Sequence, residues 1–274
     1  MPSFTGKTFA SFYKNILALK NPSFTGVITT ALPIQDGEGN KTAMSISDDE
    51  VLIRPENDDL ATTVQIKNTS GGVILKVNTV DSLVTVGATQ AVANTQYAHF
   101  AVSNPSATAS YMLDDTHYAI PFGGYVFAGT SANYAMGTAT TSSFNDTEPA
   151  TSLTIADTAM SIVKTYWYVM DDITIDRVVW WQGADAATGD STAAYLMGYT
   201  VDASTASTGG DLSSGVKLAS SSTVTNAGYE QAYYNQMSIH SADVDAGKVI
   251  LFTFASDTVN SDFSINATIK FHIR

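Results

Sequence analysis

Short apolar segments with a period of two, separated by turn residues, recur through this chain from Met44 onwards. The stretch from Val64 to Gly87 has the clearest pattern, because the turns at 68–72 and 78–82 separate its apolar segments. Alternation of this kind places successive side chains on opposite faces of a strand. Turn signals every 8–12 residues or so are typical of all-β folds. The sequence therefore predicts an all-β protein built from antiparallel sheets.

One segment near the N-terminus has the helical period instead. Between Thr8 and Lys20 the apolar residues are spaced at i, i+3, i+4, i+7 and i+8, and Asn21-Pro22 ends the pattern. We predict a short amphipathic helix, which either packs on its own domain or docks onto a partner as an anchor. The anchor is favoured, because a tract rich in glycine and threonine (22–42) follows it. The candidate anchor residues are Phe9, Phe12, Tyr13, Ile16 and Leu17.

Strand spacing and composition divide the chain into three predicted domains. Residues 1–43 form the anchor helix and an extended arm, residues 44–95 a small β-meander, and residues 96–274 an antiparallel β-sandwich of jelly-roll type. The predicted sandwich strands are 161–170, 173–181, 193–201, 216–220, 232–239, 248–255 and 263–273.

The meander has too little interior to fold well alone. We therefore expect it to bury its apolar residues against copies of itself. The candidate oligomerisation residues are Val51, Ile53, Val64, Ile66, Val73, Leu75, Val77, Leu83 and Val86.

The charge of the chain excludes several classes of partner. Acidic residues outnumber basic ones by 26 to 13, and no Lys or Arg lies between Val77 and Val163. A net charge of −13 repels the phosphates of nucleic acids. We expect no signal peptide and no membrane association, because no cationic region precedes an apolar core and no apolar run approaches about 20 residues. Cysteine is absent, which excludes disulfides and thiolate metal sites.

The sequence does not predict an enzyme. None of its four histidines lies in a Gly-x-Ser-x-Gly context, and their alternating neighbours are typical of strand residues. Adjacent aspartates such as Asp48-Asp49 and Asp171-Asp172 point to opposite faces of a strand, so they do not form a glycosidase pair by themselves. A polysaccharide-degrading activity stays open as an alternative that requires a carboxylate pair in a groove.

Calcium is the one ion for which the loops offer suitable ligands, because it binds oxygen atoms of loop residues. The candidate ligands are Asp185 with Asp190, and Asp243 with Asp245. Neither pair matches an EF-hand, and solvated turn aspartates are the favoured interpretation. No other cofactor is predicted.

Two aromatic clusters, Tyr166-Trp167-Tyr168 and Trp180-Trp181, lie in the predicted sandwich. Alternation places one face of each cluster in the core, including one of the two adjacent tryptophans. An exposed member would either stack on a glycan or pack in a subunit interface.

Several segments together resemble the virion appendage proteins of tailed bacteriophages, particularly those of marine phages. They are the helical stub 9–17, the segments 34–40 and 44–49, and the strand–turn–strand stretch 64–87, which is similar to the short β units of phage fibres and head fibres. The resemblance implies a non-enzymatic homotrimer that is made in the host cytoplasm and becomes part of the virion. Its N-terminus would be fixed to the major capsid or tail proteins, and the β-sandwich would be displayed outward. A capsid decoration or head fibre is favoured by the modest length, and a tail fibre or receptor-binding protein for a host surface glycan is the alternative.

Overall fold

The computed structural model has an all-β fold made of antiparallel sheets, which confirms the predicted fold class. The chain divides into two compact units, unit 1 (Met1–Ala93) and unit 2 (Asn94–Arg274). The predicted boundary between residues 95 and 96 falls inside the first strand of unit 2. The structure describes residues 17–20, 26–55, 59–87, 91–104, 117–124, 148–153, 163–185, 188–202, 210–228, 230–257 and 262–274.

Unit 1 contains two four-stranded sheets in which neighbouring strands are also consecutive in the chain. The strands of the first sheet are β1 (Ala18–Leu19), β2 (Leu32–Gln35), β3 (Lys41–Ile46) and β4 (Val51–Ile53). Those of the second sheet are β5 (Val64–Lys67), β6 (Val73–Asn78), β7 (Leu83–Val86) and β8 (Ala91–Val92).

The hairpin turns of unit 1 are closed by side chains. Asp36 Oδ1 accepts hydrogen bonds from the backbone N–H groups of Glu38 and Asn40, each at 2.9 Å. Asn68 Oδ1 accepts one from Gly72 N–H at 2.7 Å. Short polar side chains of this type mimic a backbone turn, so the turn residues set the register of the strands on either side.

The predicted end of the N-terminal helix, at Lys20, is wrong. Residues 1–16 lie outside the described part of the chain, but Ala18 and Leu19 form a strand that pairs with Gln35 and Ile34 of β2. Lys20 N–H also donates to Pro33 O at 2.9 Å. The backbone groups of this segment are therefore satisfied by a neighbouring strand, which local periodicity does not reveal.

Unit 2 consists of two larger antiparallel sheets. One has the order β16-β12-β20-β9 with β18 beside β12, and the other has the order β10-β19-β13-β14-β17 with β11 beside β19 and β15 beside β13. Their bounds are β9 (Thr95–Asn104), β10 (Tyr118–Ile120), β11 (Trp167–Tyr168), β12 (Ile173–Asp185), β13 (Ser191–Val201), β14 (Leu212–Ser220), β15 (Val224–Thr225), β16 (Glu230–Gln236), β17 (Ser238–Ile239), β18 (Asp243–Val244), β19 (Lys248–Ser256) and β20 (Asp262–Ile273).

A continuous apolar core lies between these two sheets. Phe100 and Trp180 from one sheet meet Phe252 from the other, with ring centroids 6.1 and 6.3 Å from that of Phe252. A second buried cluster lies on the opposite face of the sheet that contains β19, and it includes Tyr199 and Leu251. That sheet is therefore apolar on both faces, which explains the continuous run of buried residues in β19.

Most predicted sandwich strands correspond to strands of the structure, from β12 to β20. The predicted strand at 161–170 is wrong, since its described part contains a short 3₁₀ helix (Val163–Thr165) and only the two residues of β11. The strand β9 is not among the predicted sandwich strands, although His99 is predicted to be a strand residue. Its residues Ala98, Phe100 and Val102 are buried in alternation.

Candidate assembly surface

Unit 1 has no hydrophobic core of its own in the part that the structure describes. No apolar side chain among its described residues is buried, and the buried side chains there are the polar Asn78 and Thr85. Unit 2, by contrast, buries apolar side chains from Ala98 onwards. An alternating sheet normally covers its apolar face, so unit 1 departs from the usual arrangement.

The first sheet of unit 1 has one apolar face. Cross-strand pairing aligns Leu32 with Ile46 and Ile46 with Val51. The neighbouring pairs Met44–Ile53 and Leu19–Ile34 lie on the same face. We call these seven residues the first apolar face. Met44, Val51 and Ile53 are 40%, 66% and 43% exposed.

The second sheet repeats this arrangement. Val64, Val77 and Val84 form one cross-strand row, and Ile66, Leu75 and Val86 form the next. Together with Val73, which alternates with Leu75 on β6, they make the second apolar face. The intervening row of Gln65, Lys76 and Thr85 points to the other side of the sheet. Ile66, Val84 and Val86 of the second apolar face are 53%, 39% and 40% exposed.

Most of the predicted oligomerisation residues lie on these two faces. Val51 and Ile53 belong to the first, and the second contains the following six: Val64, Ile66, Val73, Leu75, Val77 and Val86. Leu83 does not belong there, because it pairs with Asn78 on the opposite side. Val84 was missed, although strict alternation with Val86 in Leu83-Val84-Thr85-Val86 would have identified it. The other five residues of the first apolar face are not among the predicted oligomerisation residues: Leu19, Leu32, Ile34, Met44 and Ile46.

The predicted anchor residues cannot be placed as a group. Phe9, Phe12, Tyr13 and Ile16 lie outside the described residues. Leu17 lies directly before β1 and is 66% exposed. Its side chain is therefore available for contact, and its role as an anchor stays a prediction.

Burial of these faces has a large energetic value. Fully burying one Val, Leu or Ile side chain is worth about 1.5–3 kcal/mol relative to leaving it exposed. Contiguous apolar patches of several such residues on a soluble chain mark interaction surfaces. Both faces of unit 1 therefore have the composition of an interface core.

The histidines of unit 2 serve contacts within the fold. His117 is buried, which lowers its pKa to about 4, and its Nδ1 lies 3.3 Å from Thr253 Oγ1. His272 Nδ1 lies 3.0 Å from Asp176 Oδ1, and His99 Nδ1 lies 3.2 Å from Thr268 Oγ1. His240 Nε2 lies 2.7 Å from the Ser220 hydroxyl on the neighbouring strand.

The second candidate calcium pair is occupied by an arginine. The Arg274 guanidinium contacts Asp245 Oδ1 at 3.0 Å and Asp243 Oδ2 at 3.6 Å, and Thr174 Oγ1 donates to Asp243 Oδ1 at 2.7 Å. The two carboxylates therefore hold Arg274, which directly follows β20, in place. Within the described ranges, no group of three or more metal-ligating side chains comes together. The side chain of Asp185 lies outside them.

The described part of the chain contains no helix long and apolar enough to cross a membrane. In the comparisons with known proteins, neither a family model nor a curated protein matched the chain.

Proposed function

We propose that this chain is a non-enzymatic structural protein of a bacteriophage virion, a homotrimer attached to the capsid through its N-terminal segment and displaying unit 2 outward. The observation that carries the proposal is the pair of uncovered apolar faces in unit 1. Each belongs to a four-stranded sheet whose strands pair edge to edge, and a second surface packed on the apolar face would supply the cover that the sheet itself lacks.

Copies of the same chain are the simplest cover for these faces. A self-complementary apolar face closes on itself under rotational symmetry, and its composition matches the buried centre of obligate homo-oligomers, where charged residues are depleted. Apolar faces of this composition would pack on a dimer or a trimer axis. The number three comes from the resemblance of the sequence to phage appendage proteins.

Unit 2 is proposed to be a jelly roll. Its main strands are β9, β10, β12, β13, β14, β16, β19 and β20, which are strands 1 to 8 when numbered in chain order. One sheet then has the order 1-8-3-6 and the other the order 2-7-4-5. A long antiparallel ribbon with the pairs 1–8, 2–7, 3–6 and 4–5, wrapped into two sheets, gives these orders. Jelly rolls occur in viral capsid proteins as well as in lectin domains and cupins, and the first of these supports the proposal.

A structural role also suits the ionisable groups of unit 2. His117 contacts Thr253, the Arg274 guanidinium lies between Asp243 and Asp245, and Lys217 pairs with Glu148. These groups therefore contact other residues of unit 2.

The attachment is tested by deleting residues 1–16, a cut that keeps β1 and its pairing with β2. We expect the truncated protein to keep its native mass and the thermal unfolding of unit 2, but to be lost from particles assembled in its presence. Retention on the particles would contradict attachment through this segment. Substituting Lys7 and Lys14 by Ala in the full-length chain is a control, because it changes the charge of the segment and leaves its apolar residues in place.

A further inference from the structure

The outward face of the β16-β12-β20-β9 sheet in unit 2 is not covered by the second sheet. The strand register shows which side chains lie on this face. One cross-strand row consists of Tyr234, Trp181, Asn266 and Ala101. Gln236, Val179, Thr268 and His99 form the next row. We call these two rows the aromatic platform, because they contain the paired aromatic residues Trp181, on the inner strand β12, and Tyr234.

Two aromatic rings of the platform are held open to solvent. Trp181 is 51% exposed and Tyr234 is 47% exposed, whereas the adjacent Trp180 is 1% exposed in the core. The two exposed rings lie 5.3 Å apart with an interplanar angle of 59°. Arg177 Nη2 donates a hydrogen bond to the Tyr234 hydroxyl at 2.7 Å. The two rings are therefore held at an angle to each other on the surface of the sheet.

The fold does not need these rings at the surface. The core of unit 2 is filled from the other face of the same strand by Val178 and Trp180. Large aromatic side chains are on average well buried, and a cluster of exposed ones marks an interaction site. The row beside Trp181 is made of small residues, Ala232, Gly183 and Ser264, which leave open space next to the rings.

The two rows of the platform contain no carboxylate, and the cations Arg177 and Lys270 form the next row on the same face. Asn266 and Gln236 flank the rings, and neither side-chain amide has a hydrogen-bonding partner among the described residues. Each amide offers both donors and an acceptor. An aromatic ring offers an apolar face beside them. A sugar ring presents apolar C–H groups on its face and hydroxyls at its edge, so it matches both features.

We infer that the aromatic platform binds a saccharide, whose ring stacks on Trp181 and Tyr234 and whose hydroxyls bond Asn266 and Gln236. This inference rests on unit 2 alone and does not depend on the trimer proposed above.

The experiment uses the single exposed tryptophan as its reporter, since Trp167 and Trp180 are buried. The full-length protein is titrated with neutral oligosaccharides of glucose, mannose, galactose and N-acetylglucosamine, and Trp181 fluorescence and its quenching by acrylamide are recorded. We expect at least one of these probes to shift the emission and to protect it from quenching. Protection by none of them would overturn the inference.

Variants identify the binding surface by calorimetry with the probe that binds. Trp181→Ala and Asn266→Ala should each weaken binding by about tenfold or more. Tyr168→Ala removes an aromatic side chain of similar exposure, 51%, outside the platform, and should leave the affinity unchanged. Equal loss in the Tyr168 variant would overturn the site. A reduced native mass of the Trp181 variant would also overturn it, because the platform would then be a contact between copies of the chain.

Discussion

Both units are built from the same kind of strand, but they differ in whether their apolar side chains are buried. In unit 2, two sheets face each other, and Phe100, Trp180 and Phe252 are all but fully buried between them. In unit 1, each sheet has one face made of Val, Ile, Leu and Met, and none of those side chains is buried. Alternation thus determines which side chains share a face, and a second surface determines whether that face becomes a core. Unit 2 supplies its own second surface, and we propose that unit 1 takes it from other copies.

The largest effect is expected from a charge on the second apolar face. Ile66→Asp places a carboxylate where copies of the chain would meet, and an uncompensated buried charge costs about 3–5 kcal/mol in every copy. We expect loss of the assembled state in sedimentation velocity, with unchanged thermal unfolding of unit 2. Gln65→Asp is the matched control, because the neighbouring side chain points to the other side of the sheet. Equal behaviour of the two variants would break the distinction between the faces.

A cavity in the core of unit 2 should have the next largest effect. Phe252 is 0% exposed, and Phe→Ala substitutions at such sites cost about 3–5 kcal/mol. We expect this loss in the free energy of unfolding, measured by denaturant titration, with the native mass unchanged. A loss below about 1 kcal/mol would mean that unit 2 does not depend on this core. A lower native mass would mean that the units are not independent.

Mild acid should destabilise unit 2 through His117. Burial lowers the pKa of this imidazole to about 4 in the folded state, against about 6.5 in the unfolded chain. The unfolded state therefore binds the proton first, so the stability is complete above pH 6.5 or so and is lost as the pH falls towards 4. The loss amounts to about 3 kcal/mol. His117→Gln should flatten this part of the stability–pH curve, and an unchanged curve would exclude His117 as its cause.

The smallest effect is expected at the surface of unit 2. Lys217 Nζ donates to Glu148 Oε1 at 2.6 Å, and this contact lowers the pKa of the Glu148 carboxyl. The Glu148 side chain is 61% exposed, and exposed ion pairs contribute only about 0–1 kcal/mol. Glu148→Gln should therefore change the thermal midpoint of unit 2 very little. A loss comparable to that of Phe252→Ala would show that the pair is a structural element of the fold.

Sequence patterns predicted the parts of the fold that depend on alternation. The assignment of one adjacent tryptophan to the core is confirmed, since Trp180 is buried and Trp181 is exposed. The β5–β6 and β6–β7 hairpins follow from their turn residues. Leu83 lies on the side of the sheet opposite Val84 and Val86, and its role in oligomerisation stays a prediction.

Other features depend on contacts that are distant in the chain. Ala18 and Leu19 fall within the predicted helix but pair with Gln35 and Ile34 of β2. The Arg274 contacts with Asp243 and Asp245 join the residue after β20 to β18 and to the turn that precedes β19. The aromatic platform needs β12, β16 and β20 side by side, so local sequence identified Trp181 as a candidate but not the amides beside it.

The native mass of the purified full-length protein, measured by light scattering over a range of concentrations, tests most directly whether other copies cover the apolar faces of unit 1. We predict a stable species of three times the chain mass of 29.0 kDa that persists on dilution. A stable monomer at all concentrations would contradict the proposal, because both apolar faces would then remain exposed to water without a partner.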